Sequence, residues 1–225
     1  MTTFQVNDRA IPNPQSASQS DAYTLDPSTL APSPKSVSEL QLFTMPRGGI
    51  DRLNFQTWDT IVVLIPGQEP IEDTIELRGY YQIERANPTS ANWQEASVDI
   101  FMRELFVVGT SQYFGRLQVG VNPDIGKESR GQVRPGTIYD SPIDSPKMCE
   151  MEGYMKFELT DVGITVFNKD PIQLRHSITH IPPVGQGGGT RDGVEVNLYR
   201  TDDPEGAPVA ILRRVKTHIG AWLDK

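Results

Sequence analysis

The chain has one cysteine, Cys149, in 225 residues. No intrachain disulfide can form, and no cysteine-rich metal module can be built. Basic residues are also short: 21 Lys and Arg stand against 29 Asp and Glu, for a formal charge of −8. A net-acidic surface repels phosphate backbones and anionic lipid, so nucleic acid is a poor partner. No run of 18 apolar residues occurs, so no helix is expected to span a membrane. The start, Met1-Thr2-Thr3-Phe4-Gln5, lacks the basic and apolar regions of a signal peptide. A reducing cytoplasm is the default expectation, with export by a route without a cleaved signal left open. Finally, no segment keeps a 3.6-residue apolar stripe for three turns, which removes helical classes.

What is present divides at about residue 38. Residues 1–38 hold Pro12, Pro14, Pro27, Pro32 and Pro34 with seven serines. Proline lacks an N–H and restricts the residue before it, so neither helix nor central strand is expected. The segment reads as an extended arm. Phe4, Val6, Ile11, Tyr23, Leu25 and Leu30 are spaced along it as candidate anchors for docking on a neighbouring subunit. Its charges, Arg9 and Lys35 against Asp8, Asp21 and Asp26, do not suit a nucleic-acid arm.

Residues 39–225 read as one β-domain, and about 185 residues suffice for a real core. The clearest strand is Thr74 to Glu84, where Ile75, Leu77, Gly79, Tyr81 and Ile83 share a face. Cys149, Met151, Gly153, Met155, Phe157 and Leu159 make a second face, and Leu117, Val119 and Val121 a third. Val194, Val196 and Leu198 make a fourth; Val209, Ile211, Val215 and Ile219 a fifth. Ile61 to Ile65 suggests a strand covered on both faces. From Ala96 to Val108 the pattern slips at Arg103-Glu104, where a β-bulge or an edge is expected. Turn residues separate the runs at Pro66-Gly67, Asn87-Pro88, Asn122-Pro123-Asp124 and Asp202 to Gly206. The expectation is an all-β fold, an antiparallel β-sandwich with a closed β-barrel as the alternative. Two long connections, 122–147 and 182–193, carry little strand pattern.

Candidate chemistry is thin. His176 and His180, with His218 as a third ligand, could suggest zinc. Ile172, Leu174, His176, Ile178 and His180 alternate as a strand, however, and four strand residues span ~13 Å. Metal–nitrogen bonds of ~2.0–2.1 Å suit that pair poorly. Glu150, Glu152 and Glu158 alternate with Lys156 on what reads as a solvated face. Asp140 and Asp144 lack EF-hand spacing. Gly185-Gln186-Gly187-Gly188-Gly189-Thr190-Arg191 lacks the Lys-Ser/Thr of a P-loop and reads as a mobile hairpin connection. Arg213, Arg214 and Lys216 read as a charged strand edge. Trp58, Trp93 and Trp222 read as core or hairpin residues rather than sugar platforms. No catalytic residue, cofactor or metal is assigned.

Three stretches carry a resemblance. They are Glu76-Leu77-Arg78-Gly79 through Asn92-Trp93; Thr165 to Pro171 with Ile181-Pro182-Pro183; and Pro204-Glu205-Gly206 with Pro208-Val209-Ala210. Over residues 40–222 the chain resembles an uncharacterised bacterial β-rich domain family. The shared residues are turns and strands, so the resemblance implies a fold and no activity. The expected function is a non-enzymatic structural or assembly protein, its arm docking on copies of itself to build a homo-oligomer or filament. The alternative is a β-sandwich module binding a sugar or a lipid, with 122–147 over a cleft. A metal-dependent enzyme using the histidines is the third reading.

Overall fold

The computed structural model describes residues 46–92, 95–134 and 147–220. The arm anchors Phe4, Val6, Ile11, Tyr23, Leu25 and Leu30 lie outside them, as do the 38/39 boundary, Trp93, Trp222, Asp140 and Asp144.

Twelve strands follow one another. They are β1 (Gly49–Val63), β2 (Ile71–Arg85), β3 (Val98–Ser111), β4 (Gly115–Val121), β5 (Arg130–Arg134) and β6 (Lys147–Gly153), then β7 (Met155–Leu159), β8 (Ile164–Asn168), β9 (Ile172–Ile178), β10 (Gln186–Gly189), β11 (Val196–Arg200) and β12 (Ala210–Ile219). All pairings are antiparallel. Hydrogen bonding runs β1-β2-β3-β4-β7-β8-β11-β12 and returns to β1. A second circuit leaves β3 through β5, β6, β9 and β10 and rejoins at β12. The sheet is therefore a ring. Long strands β12, β1, β2 and β3 are common to both circuits, and the rest of the ring is broken into two paths of four short strands each.

The antiparallel all-β expectation holds. The ring adds that β1 and β12 pair, leaving neither as a free edge. Inward residues follow the period of two: Ile75, Leu77, Tyr81 and Ile83 on β2, Leu117 and Val119 on β4, and Cys149 and Met151 on β6 are all buried in one core. Phe55 meets Tyr81 edge-on, ring centroids 5.1 Å apart.

The broken paths meet at a waist, and polar side chains satisfy the backbone there. Asn168 is fully buried. Its Oδ1 accepts from Met155 N at 2.7 Å, and its Nδ2 donates to Gly153 O and Asp170 O. Ser129 Oγ accepts from Tyr154 N at 2.8 Å and donates to Tyr154 O. These bonds replace ladder bonds lost at Tyr154 and at 169–171, where unpaired buried groups would be costly.

Two bulges set the inward pattern. Gln82 pairs with Glu104 and Ile83 with Met102, so Arg103 is the extra residue, at the expected slip. Thr60 pairs with Arg214 and Ile61 with Leu212, so Arg213 is a second extra residue. This bulge corrects the face expected for β12. Ala210, Leu212, Val215, Thr217 and Ile219 are the buried set, because the parity flips at Arg213.

Other expectations change as well. Residues 122–147 contain β5, hidden from a hydropathy reading because Val133 is its one apolar side chain among four polar or small residues. The glycine run is not a mobile connection: it is β10, paired to both β9 and β12. A Cβ at Gly188 would lie 2.3 Å from the His176 ring, so only glycine allows that ring to cover the strand. Arg213 and Arg214 do not sit on an edge. They lie on the outer face, paired with Glu72, Glu195 and Asp192.

Candidate functional site

The interior of the ring is not filled evenly. Where β4, β7, β8 and β11 complete the circuit, a cavity of about 250 Å³ opens among Ile61, Phe114, Leu117, Phe157, Leu198 and Ala210. Aliphatic and aromatic groups line it, and Arg200 is the one charged side chain on its wall. That guanidinium is held by Asp202, at 2.8 and 2.6 Å. Where β5, β6, β9 and β10 complete the circuit, the space shrinks to about 50 Å³. Phe55, Tyr81, Cys149, Met151, Leu174 and His176 are among its walls. The Arg85–Asp51 pair borders this chamber, with Nε 2.5 Å from Oδ2. Between the two lies a chamber of about 30 Å³. It shares Phe157 with the large cavity, and Phe55, Met102 and Leu174 with the small one. The three spaces thus form a series through the ring.

A larger hollow, about 350 Å³, lies on the outer face between β3, β5, β6 and β9. Asp99, Arg130, Arg134, Glu150 and Glu152 line it. It is open and charged, so it would bury little of a small molecule, and the interior is the better site.

The interior carries a short polar line. Thr57 and Asp59 point inward from β1 between Phe55 and Ile61. Both are buried, and Thr57 Oγ1 donates to Asp59 Oδ1 at 2.5 Å. Thr217 on β12 is the direct cross-strand partner of Thr57. Its Oγ1 lies 2.7 Å from His176 Nε2 on β9. Burial pushes the Asp59 carboxyl up to about 7, a rise only partly offset by the Thr57 hydroxyl. Burial lowers His176 to about 4. Cys149, the direct neighbour of His176 on β6, is pushed up to about 12, chiefly by burial. Its thiol stays protonated, which makes it a poor nucleophile.

The three histidines are kept apart. His176 faces the interior, exposed His180 lies past the end of β9 against Gln186, and His218 sits on the opposite face of β12 from Thr217. Among the described residues, no group of three His, Cys, Asp or Glu side chains could hold a metal ion. No helix among them is long and apolar enough to cross a membrane. Asp59, Thr57 and Thr217 were not among the candidates from sequence. The only signal for them is parity: Phe55, Thr57, Asp59 and Ile61 alternate inward, and an acid there conflicts with the apolar face.

No curated protein matches the chain. The structure of DynF, from the dynemicin biosynthesis pathway of Micromonospora chersina, is similar with a TM-score of 0.70 and 32% identity. The match covers 80% of this chain and 84% of that one. This likeness to a biosynthesis-pathway protein overturns the expectation of a structural, filament-building protein with a docking arm. A family model matches residues 27–225, and the chain accordingly belongs to the family of unknown function DUF6073.

Proposed function

We propose that the chain is a binding protein that encloses an apolar small molecule inside the ring. The observation that carries this reading is the cavity of about 250 Å³ with its aliphatic and aromatic walls. A dry engineered cavity of about 150 Å³ lined by such side chains takes up benzene. A larger one suits a bicyclic or short-chain hydrocarbon group. The serial arrangement of the three chambers favours an elongated molecule over a compact one. Of the two ligand classes open from sequence, the lipid-like one is preferred. A sugar would leave its hydroxyls unpaired against Leu117, Phe157 and Leu198, at a cost of a few kcal/mol for each buried group. DynF's place in a biosynthesis pathway supports a role in handling a small molecule. The role proposed is binding rather than catalysis.

The test uses 2-ethylnaphthalene as an apolar probe and thermal unfolding as the readout. Binding to the native state alone raises the unfolding midpoint, with a stabilisation that grows as the logarithm of one plus ligand concentration over Kd. Ala210, buried on the cavity wall, is replaced by Phe to occupy the space. The unfolding midpoint should rise with probe in the wild type and not in Ala210→Phe. An equal rise in both, or none in the wild type, would count against the reading.

A further inference from the structure

Asp59 is an interior feature that an apolar binding site does not explain. It is 4% exposed. Its Oδ1 accepts from a neutral hydroxyl, that of Thr57. The walls of its chamber come from β1, β3, β4, β7, β9 and β12: Phe55, Met102, Val119, Phe157, Leu174 and Val215 are representative, and no other side chain there is charged. Other titratable groups on the interior wall are His176 on β9, bonded to Thr217, Tyr81 on β2 and Cys149 on β6. A carboxyl in such surroundings costs stability that a leucine would not. Violations of core chemistry of this kind cluster where a chain binds or reacts.

Its position decides what it could meet. Asp59 lies two residues before Ile61 on β1, about 7 Å along the strand. Ile61 and Phe157 both line the large cavity, and Phe157 also borders the chamber of Asp59. A ligand filling the large cavity and extending past Phe157 comes next to the carboxyl. From there the polar line continues through Thr57 and its cross-strand partner Thr217 to His176. We propose that Asp59, backed by Thr57, Thr217 and His176, is a hydrogen-bonding station for one carbonyl or hydroxyl oxygen on an otherwise apolar ligand. The proposal rests on the enclosed-ligand reading above, and it deepens that reading by naming the ligand's class. In its neutral form Asp59 donates an O–H to a ligand carbonyl. Burial holds that form up to about pH 7.

The test compares two probes that differ at one group, 2-ethylnaphthalene and 2-acetylnaphthalene. For each protein the ratio of their affinities is measured by fluorescence titration at pH 6 and pH 8.5. Comparing ratios between proteins cancels the probes' different solubilities. At pH 6 the ratio should favour the ketone about tenfold more in the wild type than in Asp59→Leu, the size expected of one buried hydrogen bond. Asp59→Asn keeps a donor and should retain the preference. At pH 8.5 the wild-type preference should fade, while that of Asp59→Asn should not. Ethyl-probe binding with equal ratios in wild type and Asp59→Leu overturns the station and leaves the enclosed-ligand reading standing. Absence of binding by either probe to the wild type overturns both. If Asp59→Leu does not fold, the pH comparison decides: the same pH dependence in wild type and Asp59→Asn overturns the station.

Discussion

The two halves of the ring share four long strands and differ in almost everything else. The half closed by β5, β6, β9 and β10 is packed down to about 50 Å³. It contains the His176–Thr217 bond, the buried thiol of Cys149 and the Arg85–Asp51 pair. The half closed by β4, β7, β8 and β11 is hollow, and its walls carry hydrocarbon. One set of strands therefore supports two kinds of interior. The difference arises in the side chains that face each interior: Gly188 on β10 lets an imidazole cover that strand in one half, and Ala210 on β12 leaves room in the other. On the proposed reading, the hollow half takes the ligand and leaves the packed half undisturbed.

The largest test of this division is Phe157→Ala. Phe157 is 1% exposed and separates the large cavity from the central chamber. Truncation leaves a void beside two existing ones and should cost about 3–5 kcal/mol in urea unfolding. A loss under about 1 kcal/mol would mean that the halves are not partitioned at this ring.

Asp59 marks the border between the halves, and its protonation opposes that of His176. The folded-state pKa of Asp59, about 7, exceeds its ordinary 3.8. The unfolded chain therefore releases a proton that the folded chain keeps, and stability falls as pH rises from about 4 to about 7. His176 is depressed from 6.5 to about 4. The unfolded chain takes up a proton that the folded chain refuses, so stability falls as pH drops through that window. Between pH 4 and 6.5 the two slopes nearly cancel. Asp59→Leu removes one of them. Its stability relative to wild type should rise by about 3–4 kcal/mol between pH 4 and pH 8. Urea titrations at the two pH values check this; a difference constant with pH would contradict the assignment.

Thr217→Val probes the packed half directly. It keeps shape but strips His176 Nε2 of its 2.7 Å partner. A buried nitrogen left unpaired should cost about 1–3 kcal/mol, and Thr217→Ser should restore most of it.

Much of this fold was legible because strands announce themselves by period two. The sets on β2, β4 and β6–β7 were readable, as was the slip at Arg103. The obscured parts share a physical cause. β10 is glycine and glutamine, whose fit depends on the His176 ring lying over it, a long-range contact with no local signature. The flip at Arg213 falls between two exposed arginines, so the residues on either side gave inconsistent faces. Closure of the ring needs β1 against β12, more than 140 residues apart, and hydropathy contains nothing about which strands pair. The cavity was invisible for a related reason: its walls read as ordinary core residues. Asp59 is legible by parity with Phe55, Thr57 and Ile61, but the continuous apolar run from Ile61 masks that alternation.

The smallest effect should be the most direct measure of the contrast. Ala210→Phe places an aromatic ring in the hollow half, where about 250 Å³ is open. Val133→Phe adds fewer atoms, but Val133 is 3% exposed and faces the chamber of about 50 Å³. Overpacking forces off-rotamer side chains and backbone shifts, costing about 1–3 kcal/mol. Val133→Phe should show that loss in urea unfolding, whereas the larger Ala210 substitution should change stability by less than about 1 kcal/mol. If the cost follows the number of atoms added and not the half in which they are placed, the hollow interior closes up in solution. The enclosed-ligand reading would then lose its basis. If the cost follows the half, the cavity persists without a ligand, and binding needs no prior unpacking of the ring.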